Sequence, residues 1–102
     1  HLIGARELCL MKPSAILINT ARGAVVDEAA LANALKNQLI AGAALDVFED
    51  EPHITETLYG LNQVVLTPHI GTGTIDARIA MGKEALDNIR NFLKGTPTNV
   101  VN

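Results

Sequence analysis

The feature that most constrains this chain is a set of three short apolar runs, each followed within a few residues by glycine or proline. The runs are residues 15–18, 40–48 and 64–67. Their length and apolar character predict buried strands, although Gly42 and the alanines of the second run are weak strand formers. Since helical patterns and a loop separate them, the order of elements is typical of a parallel α/β sheet with right-handed crossovers.

The segments between the runs predict helices of different lengths. Residues 2–11 form a short helix that a turn at 12–14 closes, and Asp27 caps a helix over 28–38. Residues 49–63 are a polar loop. A long C-terminal helix spans 74–94 and stops at Gly95 and Pro97. The apolar faces are Ala30, Leu31, Ala34 and Leu35 in the middle helix, and Ile75, Ile79, Leu86, Ile89 and Leu93 in the long one.

The size of the chain limits how such a sheet can be covered. With 102 residues, 48% of them hydrophobic, it can bury a modest core. Three strands and a few helices cannot cover both faces of a parallel sheet, and the first residue is His1 rather than Met. We therefore expect a partial Rossmann-like sheet that belongs to a larger nucleotide-binding domain.

Composition argues against several classes of partner and compartment. A formal net charge of −3 gives no electrostatic motive for binding nucleic acid. No apolar run approaches the length of a membrane span, and no secretory leader pattern opens the chain, so we expect a cytoplasmic protein without a membrane partner. The single cysteine, Cys9, cannot form an internal disulfide, and its neighbours predict a small buried hydrophobe.

Three ionisable residues follow the apolar runs: Arg22 before Gly23, Glu51 before Pro52, and His69 after Pro68. If the runs are parallel strands of one sheet, all three residues lie along its carboxyl edge, where open α/β sheets bind their ligands. They are therefore expected to converge on one crevice.

These three groups suit the reduction of the ketone of a 2-oxo acid. The guanidinium of Arg22 can bind a substrate carboxylate through two hydrogen bonds. The imidazole of His69 can donate a proton to the oxygen that becomes the hydroxyl. The carboxylate of Glu51 can fix the tautomer of that ring. The hydride must come from a cofactor, because no side chain supplies one.

From the residues alone, a purely structural or surface role stays open at each of these positions. Arg22 could be a surface residue and His69 a structural histidine, while Glu49 and Asp50 stand beside Glu51. Asp46 could cap the turn after its strand. The exposed-looking His53 predicts a solvated side chain, and we expect no metal site, because no group of ligands has metal-binding spacing.

Three linked motifs, "ILINTARGAVVDEAALANAL", "AGAALDVFEDEP" and "LTPHIG", resemble the D-isomer-specific 2-hydroxyacid dehydrogenases. The resemblance covers nearly the whole chain and matches the carboxyl-terminal half of that family's cofactor domain. It implies an enzyme that uses NAD or NADP to interconvert 2-oxo acids and D-2-hydroxy acids, glyoxylate and hydroxypyruvate being typical substrates. It also implies a homodimer for the full-length protein.

The resemblance assigns roles to individual residues. It implies that Arg22 orients the substrate, that His69 is the general acid and base, and that Glu51 pairs with His69. Related formate dehydrogenases carry glutamine at the position of Glu51. The residues that it places near the cofactor are Thr20, Ala21, Arg22, Asp46, His69 and Gly71.

Two parts of the family pattern are absent from the sequence. The G-x-G-x-x-G phosphate turn should precede this segment, and "GTGTID" at 71–76 does not match it because Asp76 replaces the third glycine. The substrate domain is missing too. We therefore expect residues 1–94 to be the later part of a dinucleotide-binding domain and 95–102 to begin the return to the substrate domain. Two alternatives are a non-catalytic, NAD(H)-sensing interaction protein, as the corepressor relatives are, and a chain without activity of its own.

Overall fold

The computed structural model describes residues 1–101, and Asn102, the last residue of the predicted return segment, lies outside them. The chain divides into two compact units, one from His1 to Gly71 and one from Thr72 onward. The first unit contains the sheet and the second contains the long helix.

The sheet of the first unit has three parallel strands in sequence order. Strand β1 is Ile16–Asn19, β2 is Gly42–Leu45 and β3 is Val64–Leu66. In the register, Asn19 pairs with Leu45, which pairs with Leu66, so that all three strands end at one level. The predicted parallel α/β arrangement is confirmed.

The helices agree with the prediction in place and differ in length. Helix α1 is Ala5–Leu10, α2 is Glu28–Lys36, α3 is Glu56–Tyr59 and α4 is Ile75–Leu93. The cap at Asp27 is confirmed, because its carboxylate accepts a hydrogen bond from the Ala30 N–H at 2.8 Å. The predicted loop over 49–63 was only partly right: it contains α3, which forms because Leu58 is buried against the core.

Strand β2 is shorter than the apolar run that predicted it. The strand ends at Leu45, Asp46 adds one more hydrogen bond to the ladder, and the buried residues Val47 and Phe48 lie beyond it. Gly42 fits at its start because a Cβ there would lie 2.8 Å from the Gln63 carbonyl oxygen. Close backbone approach to the chain before β3 thus explains a glycine inside a strand.

One apolar core joins α1, α2 and α3 to one side of the strands. Its members include Leu8, Leu17, Leu31, Leu35, Leu45 and Leu58. The expectation that the first run is buried throughout was wrong: Ile16 and Ile18 alternate with Leu17 and keep 64% and 69% of their surface exposed. Side chains alternate across a strand, so Leu17 meets the core and its neighbours point to the opposite face.

The prediction for Cys9 was also wrong, because its side chain is exposed. Helix α1 turns about 100° per residue and presents one face to the core. Leu8 occupies that face and is fully buried, whereas Leu10 keeps 76% of its surface exposed. The apolar neighbours of Cys9 therefore did not indicate its own burial.

The second unit consists of α4 and the chain that follows it. The helix begins at Ile75, one residue later than predicted, because Thr74 caps it by accepting a hydrogen bond from the Ala77 N–H. After Gly95, which has a φ of +74°, Thr98 and Asn99 bond back to Asn88 of α4. The apolar stripe of α4 is exposed. Within residues 1–101, no helix combines the length and apolar character needed to cross a membrane.

Candidate active site

The polar residues that follow the strands meet at the carboxyl edge of the sheet. The Asp46 N–H donates to the Asn19 carbonyl at 3.0 Å, and the Thr67 N–H donates to the Leu45 carbonyl at 2.9 Å. These bonds extend the ladder by one residue beyond the ends of β2 and β3. The segments that carry Arg22, Glu51 and His69 all begin from this edge.

Glu51 and His69 form a direct pair. The Nδ1 atom of His69 lies 2.8 Å from the Oε2 atom of Glu51. The hydrogen bond from the His69 ring is the main reason that the pKa of Glu51 lies below its ordinary value, and a second bond from the Phe48 N–H acts in the same direction. An ionised carboxylate only accepts hydrogen bonds, so the ring must carry a proton on Nδ1. With 49% of its side chain exposed, the ring leaves Nε2 available for another partner.

The turn around His69 is held in an unusual backbone conformation. His69 has a φ of +53°, in the left-handed region that residues other than glycine rarely adopt. The carboxylate of Asp46 accepts hydrogen bonds from the N–H groups of the two residues that follow His69, Ile70 at 2.9 Å and Gly71 at 2.7 Å. Contacts from the neighbouring strand end therefore support the strain at His69.

Asp46 is a buried carboxylate whose charge is balanced by hydrogen-bond donors. Its third donor is the Thr67 hydroxyl at 2.6 Å, and only 7% of the residue is exposed. The bond from Thr67 is the largest reason that the pKa of Asp46 is lowered, followed by the bond from the Ile70 N–H. Three donors within hydrogen-bond distance keep the group ionised without a cation.

Arg22 follows a turn that is built by a buried asparagine. The side chain of Asn19 accepts from the Ala21 N–H at 3.1 Å and donates to the Arg22 carbonyl at 2.9 Å. The Arg22 guanidinium is exposed and donates to the Ala21 carbonyl at 2.6 Å. Within the described residues, no hydrogen bond or ion pair joins it to Glu51 or His69, so the structure brings together two of the three predicted groups.

Gly23 connects the Arg22 turn to the segment that leads to Glu51. A Cβ at Gly23 would lie 1.9 Å from the carbonyl carbon of Phe48 and 2.4 Å from the Glu49 nitrogen. Only a glycine lets the two backbones approach so closely. The backbone next to Arg22 and the segment before Glu51 are therefore held at a fixed distance from each other.

An apolar hollow of about 140 Å³ lies beside the Glu51–His69 pair. Phe48, Pro52, Ile54 and Pro68 line it together with the pair itself. Apolar walls next to a partly exposed, hydrogen-bonded pair lower the local dielectric and strengthen its electrostatic interaction.

The remaining predicted residues lie at the same edge or in the loops near it. Thr20 and Ala21 are exposed directly after β1, and Gly71 donates to Asp46. The side chain of His53 is 81% exposed, as predicted. In the part of the chain that the structure describes, no three His, Cys, Asp or Glu side chains are grouped to hold a metal ion.

The sequence model of one protein family matches this chain over residues 1–71, which is the extent of the first unit. The family is described as D-isomer specific 2-hydroxyacid dehydrogenase, NAD binding domain. This chain belongs to that family.

Similar proteins agree with the membership of the chain in the 2-hydroxyacid dehydrogenase family. A glyoxylate reductase from Thermococcus litoralis is 57% identical over 103 residues, which is 100% of this chain and 31% of that protein. A glyoxylate reductase from Pyrococcus furiosus is 52% identical over the same shares. The chain thus spans about a third of the length of the curated relatives it matches.

Solved structures of 2-hydroxyacid dehydrogenases share the fold. An NADPH-dependent glyoxylate/hydroxypyruvate reductase from Sinorhizobium meliloti, in complex with NADP and malonate, aligns with a TM-score of 0.78 and 40% identity over 95% of this chain and 32% of its own. A glyoxylate reductase from Paecilomyes thermophila aligns with a TM-score of 0.82 and 40% identity over 96% and 30%. The expected Rossmann-like arrangement is therefore confirmed.

Several residues that build this site were not found from the sequence. Thr67 was part of the "LTPHIG" motif, but nothing in the sequence indicated that its hydroxyl binds Asp46. Asn19 was assigned to a strand end without a role. Glu28 was assigned to the start of a helix without a role, although it is 96% buried and bonds to the loop that carries Glu51. Only the unusual burial of a glutamate marks it, and burial is a property of the fold.

Replacing Gly23 with alanine tests the close approach between the two segments. Gly23→Ala is expected to lower the free energy of unfolding by about 1–3 kcal/mol, because backbone atoms of Phe48 and Glu49 must move aside. Gly60→Ala is the matched control, since a Cβ there meets nothing within 4 Å. Urea unfolding of the three proteins measures the difference, and equal losses for both variants would contradict the contact.

The ionised state of Asp46 predicts a pH-dependent contribution to stability. A lowered pKa in the folded state means that the contribution is present above about pH 4 and is lost as the pH falls through the lowered value. Asp46→Asn should therefore lower the urea midpoint strongly at pH 7 and much less near pH 3. Asp50→Asn is the control, because the Asp50 side chain is 91% exposed. A difference for Asp46→Asn that is equal at the two pH values would contradict the account.

Proposed function

We propose that this chain supplies the acid–base pair and the anion-binding arginine of an NAD(P)-dependent oxidoreductase that interconverts 2-oxo acids and D-2-hydroxy acids. Small acids of the glyoxylate and hydroxypyruvate class are the proposed substrates, as the names of the relatives suggest. The observation that carries the proposal is the 2.8 Å bond between Glu51 and His69 at the carboxyl edge of a parallel sheet. Open α/β sheets bind their ligands at that edge.

His69 is the proposed general acid in the direction of reduction. Its Nδ1 atom is engaged by Glu51, so a proton on Nε2 is the one that can pass to the substrate's carbonyl oxygen. Glu51 holds the ring in that orientation and stabilises its positive form. In the oxidation of the hydroxy acid, the neutral ring accepts the proton back at Nε2.

Arg22 is the proposed binding group for the substrate carboxylate. Its guanidinium is exposed, and its one hydrogen bond in the described residues is to the carbonyl of its neighbour Ala21. The other N–H groups of the guanidinium remain available to a planar anion. A carboxylate held there would bring the adjacent 2-oxo carbon to the edge that carries His69.

The same edge fits the nicotinamide end of a dinucleotide. Thr20, Ala21 and Gly71 are exposed there and have small side chains or none, so the edge is open. Both carboxylate oxygens of Asp46 already accept hydrogen bonds from the His69 turn, so we propose that Asp46 acts mainly by shaping this edge. Bound NAD or NADP would supply the hydride, and Arg22 and His69 would lie beside it.

The organisation of the whole protein is also proposed from the resemblance. Residues 1–94 would be the later part of the dinucleotide-binding domain, and 95–102 would begin the return to the substrate domain. The full-length protein would act as a homodimer. The remaining two thirds of the relatives' length has no counterpart among these 102 residues.

A hybrid enzyme allows the proposal to be tested with a complete active site. In the hybrid enzyme, this chain replaces the matching segment of the Thermococcus litoralis glyoxylate reductase, to which it is 57% identical. His69→Ala should lower kcat on the order of 10²–10⁴-fold with glyoxylate, because the proton donor is lost. Arg22→Lys should raise KM for glyoxylate and lower kcat together, because the two-pronged contact is lost.

His53→Ala is the matched control, since its ring is exposed and lies outside the pair. NADH and NADPH oxidation with glyoxylate or hydroxypyruvate is the measurement. A folded hybrid in which His69→Ala keeps the turnover of the unchanged hybrid contradicts the proposed function. Dinucleotide binding by the hybrid without turnover of any 2-oxo acid would favour a nucleotide-sensing role instead.

A further inference from the structure

Glu28 is a buried carboxylate that the proposed chemistry does not use. Only 4% of the residue is exposed, and within the described residues no lysine or arginine pairs with it. Burying a charge is costly unless hydrogen bonds replace its hydration. Its surroundings therefore need a physical explanation.

The partners of Glu28 all lie at the ends of one segment, residues 49–55, which we call the Glu51 loop. The Oε1 atom of Glu28 accepts from the Glu49 N–H at 2.7 Å, at the start of the loop. The Oε2 atom accepts from the Thr55 hydroxyl at 2.6 Å, at its end. One side chain thus closes the loop from both sides.

A reciprocal bond strengthens this closure. The Oε1 atom of Glu49 accepts from the Glu28 N–H at 2.8 Å. That N–H belongs to the first residue of α2, where backbone donors have no partner within the helix and the helix dipole favours negative charge. Two carboxylates therefore accept backbone hydrogen bonds at the helix start, the other oxygen of Glu49 lies 2.9 Å from Nε2 of His1, and the Glu51 loop is fixed to α2.

Inside the loop, the backbone is short and internally bonded. The His53 N–H donates to the Asp50 carbonyl at 2.8 Å, which tightens the middle of the loop. Glu51 stands between the two anchored ends, and its carboxylate reaches the Phe48 N–H and the His69 ring. A loop anchored at residues 49 and 55 leaves the Glu51 side chain little freedom to move away from His69.

We propose that Glu28 is a positioning residue for the acid–base pair: by holding both ends of the Glu51 loop, it sets the orientation of Glu51 toward His69. This inference rests on the proposed function. Glu28 contacts neither substrate nor cofactor in this account. It acts through Glu51, so its effect must disappear when Glu51 no longer matters.

A double-mutant cycle in the hybrid enzyme tests the proposal. Glu28→Ala should lower kcat/KM for glyoxylate on the order of 10–100-fold, chiefly through kcat, because misplacement of a catalytic group by about 1 Å has effects of this size. In a Glu51→Gln background, the same change should lower kcat/KM by less than about twofold. A residue with a merely structural role would give additive losses instead.

Thr55→Val provides a milder second variant in case Glu28→Ala does not fold. It removes the hydroxyl that donates to Glu28 and keeps the side-chain shape, so it should lower kcat/KM less than Glu28→Ala and also lose its effect in the Glu51→Gln background. Thr57→Val, on the exposed side of α3, is the control and should leave kcat/KM within about twofold.

The outcomes separate the two levels of the account. Losses from Glu28→Ala or Thr55→Val that persist fully in the Glu51→Gln background overturn the positioning role, even if His69→Ala and Glu51→Gln each lower turnover as the proposed function requires. Full turnover by His69→Ala and Glu51→Gln overturns the proposed function itself. A lower unfolding midpoint with unchanged kcat/KM assigns Glu28 to stability alone.

Discussion

The carboxylate of Asp46 is the interaction on which the arrangement at the sheet edge depends. Asp46 is the first residue after β2. Its carboxylate oxygens accept hydrogen bonds from the Thr67 hydroxyl and from the N–H groups of Ile70 and Gly71, all of which follow β3. The ends of β2 and β3 lie side by side, so this single carboxylate can hold the turn that follows β3 in place. His69 occupies that turn with a φ of +53°, and its ring meets Glu51 from there.

Backbone donors, hydroxyl groups and the His69 ring stabilise the carboxylates of the site. Asp46, Glu28 and Glu51 each accept two or more hydrogen bonds, and within residues 1–101 none of them pairs with lysine or arginine. Hydrogen bonds to the charged form favour it, as the lowered pKa values of Asp46 and Glu51 show. The cationic group at this edge, Arg22, is consequently not consumed by an internal salt bridge and can serve a ligand.

The sequence predicted the strands, the cap at Asp27 and the meeting of Glu51 with His69, because periodicity and strand ends are local signals. It could not predict that Ile16 and Ile18 stay exposed or that Cys9 faces outward, since which side of an element meets the core is decided by the other elements. The same reason applies to Glu28. Its neighbours in the sequence suggest a solvated first turn, and its burial arises only when residues 49–55 close over it.

The orientation of the His69 ring can be observed directly by nitrogen-15 NMR of the imidazoles in the 102-residue chain, with His69→Ala to assign the signals. The account predicts that the neutral ring carries its proton on Nδ1, facing Glu51, and that Glu51→Ala removes this preference. A proton on Nε2 in the unchanged protein, or a tautomer that is the same with and without the Glu51 carboxylate, would contradict the acid–base pair.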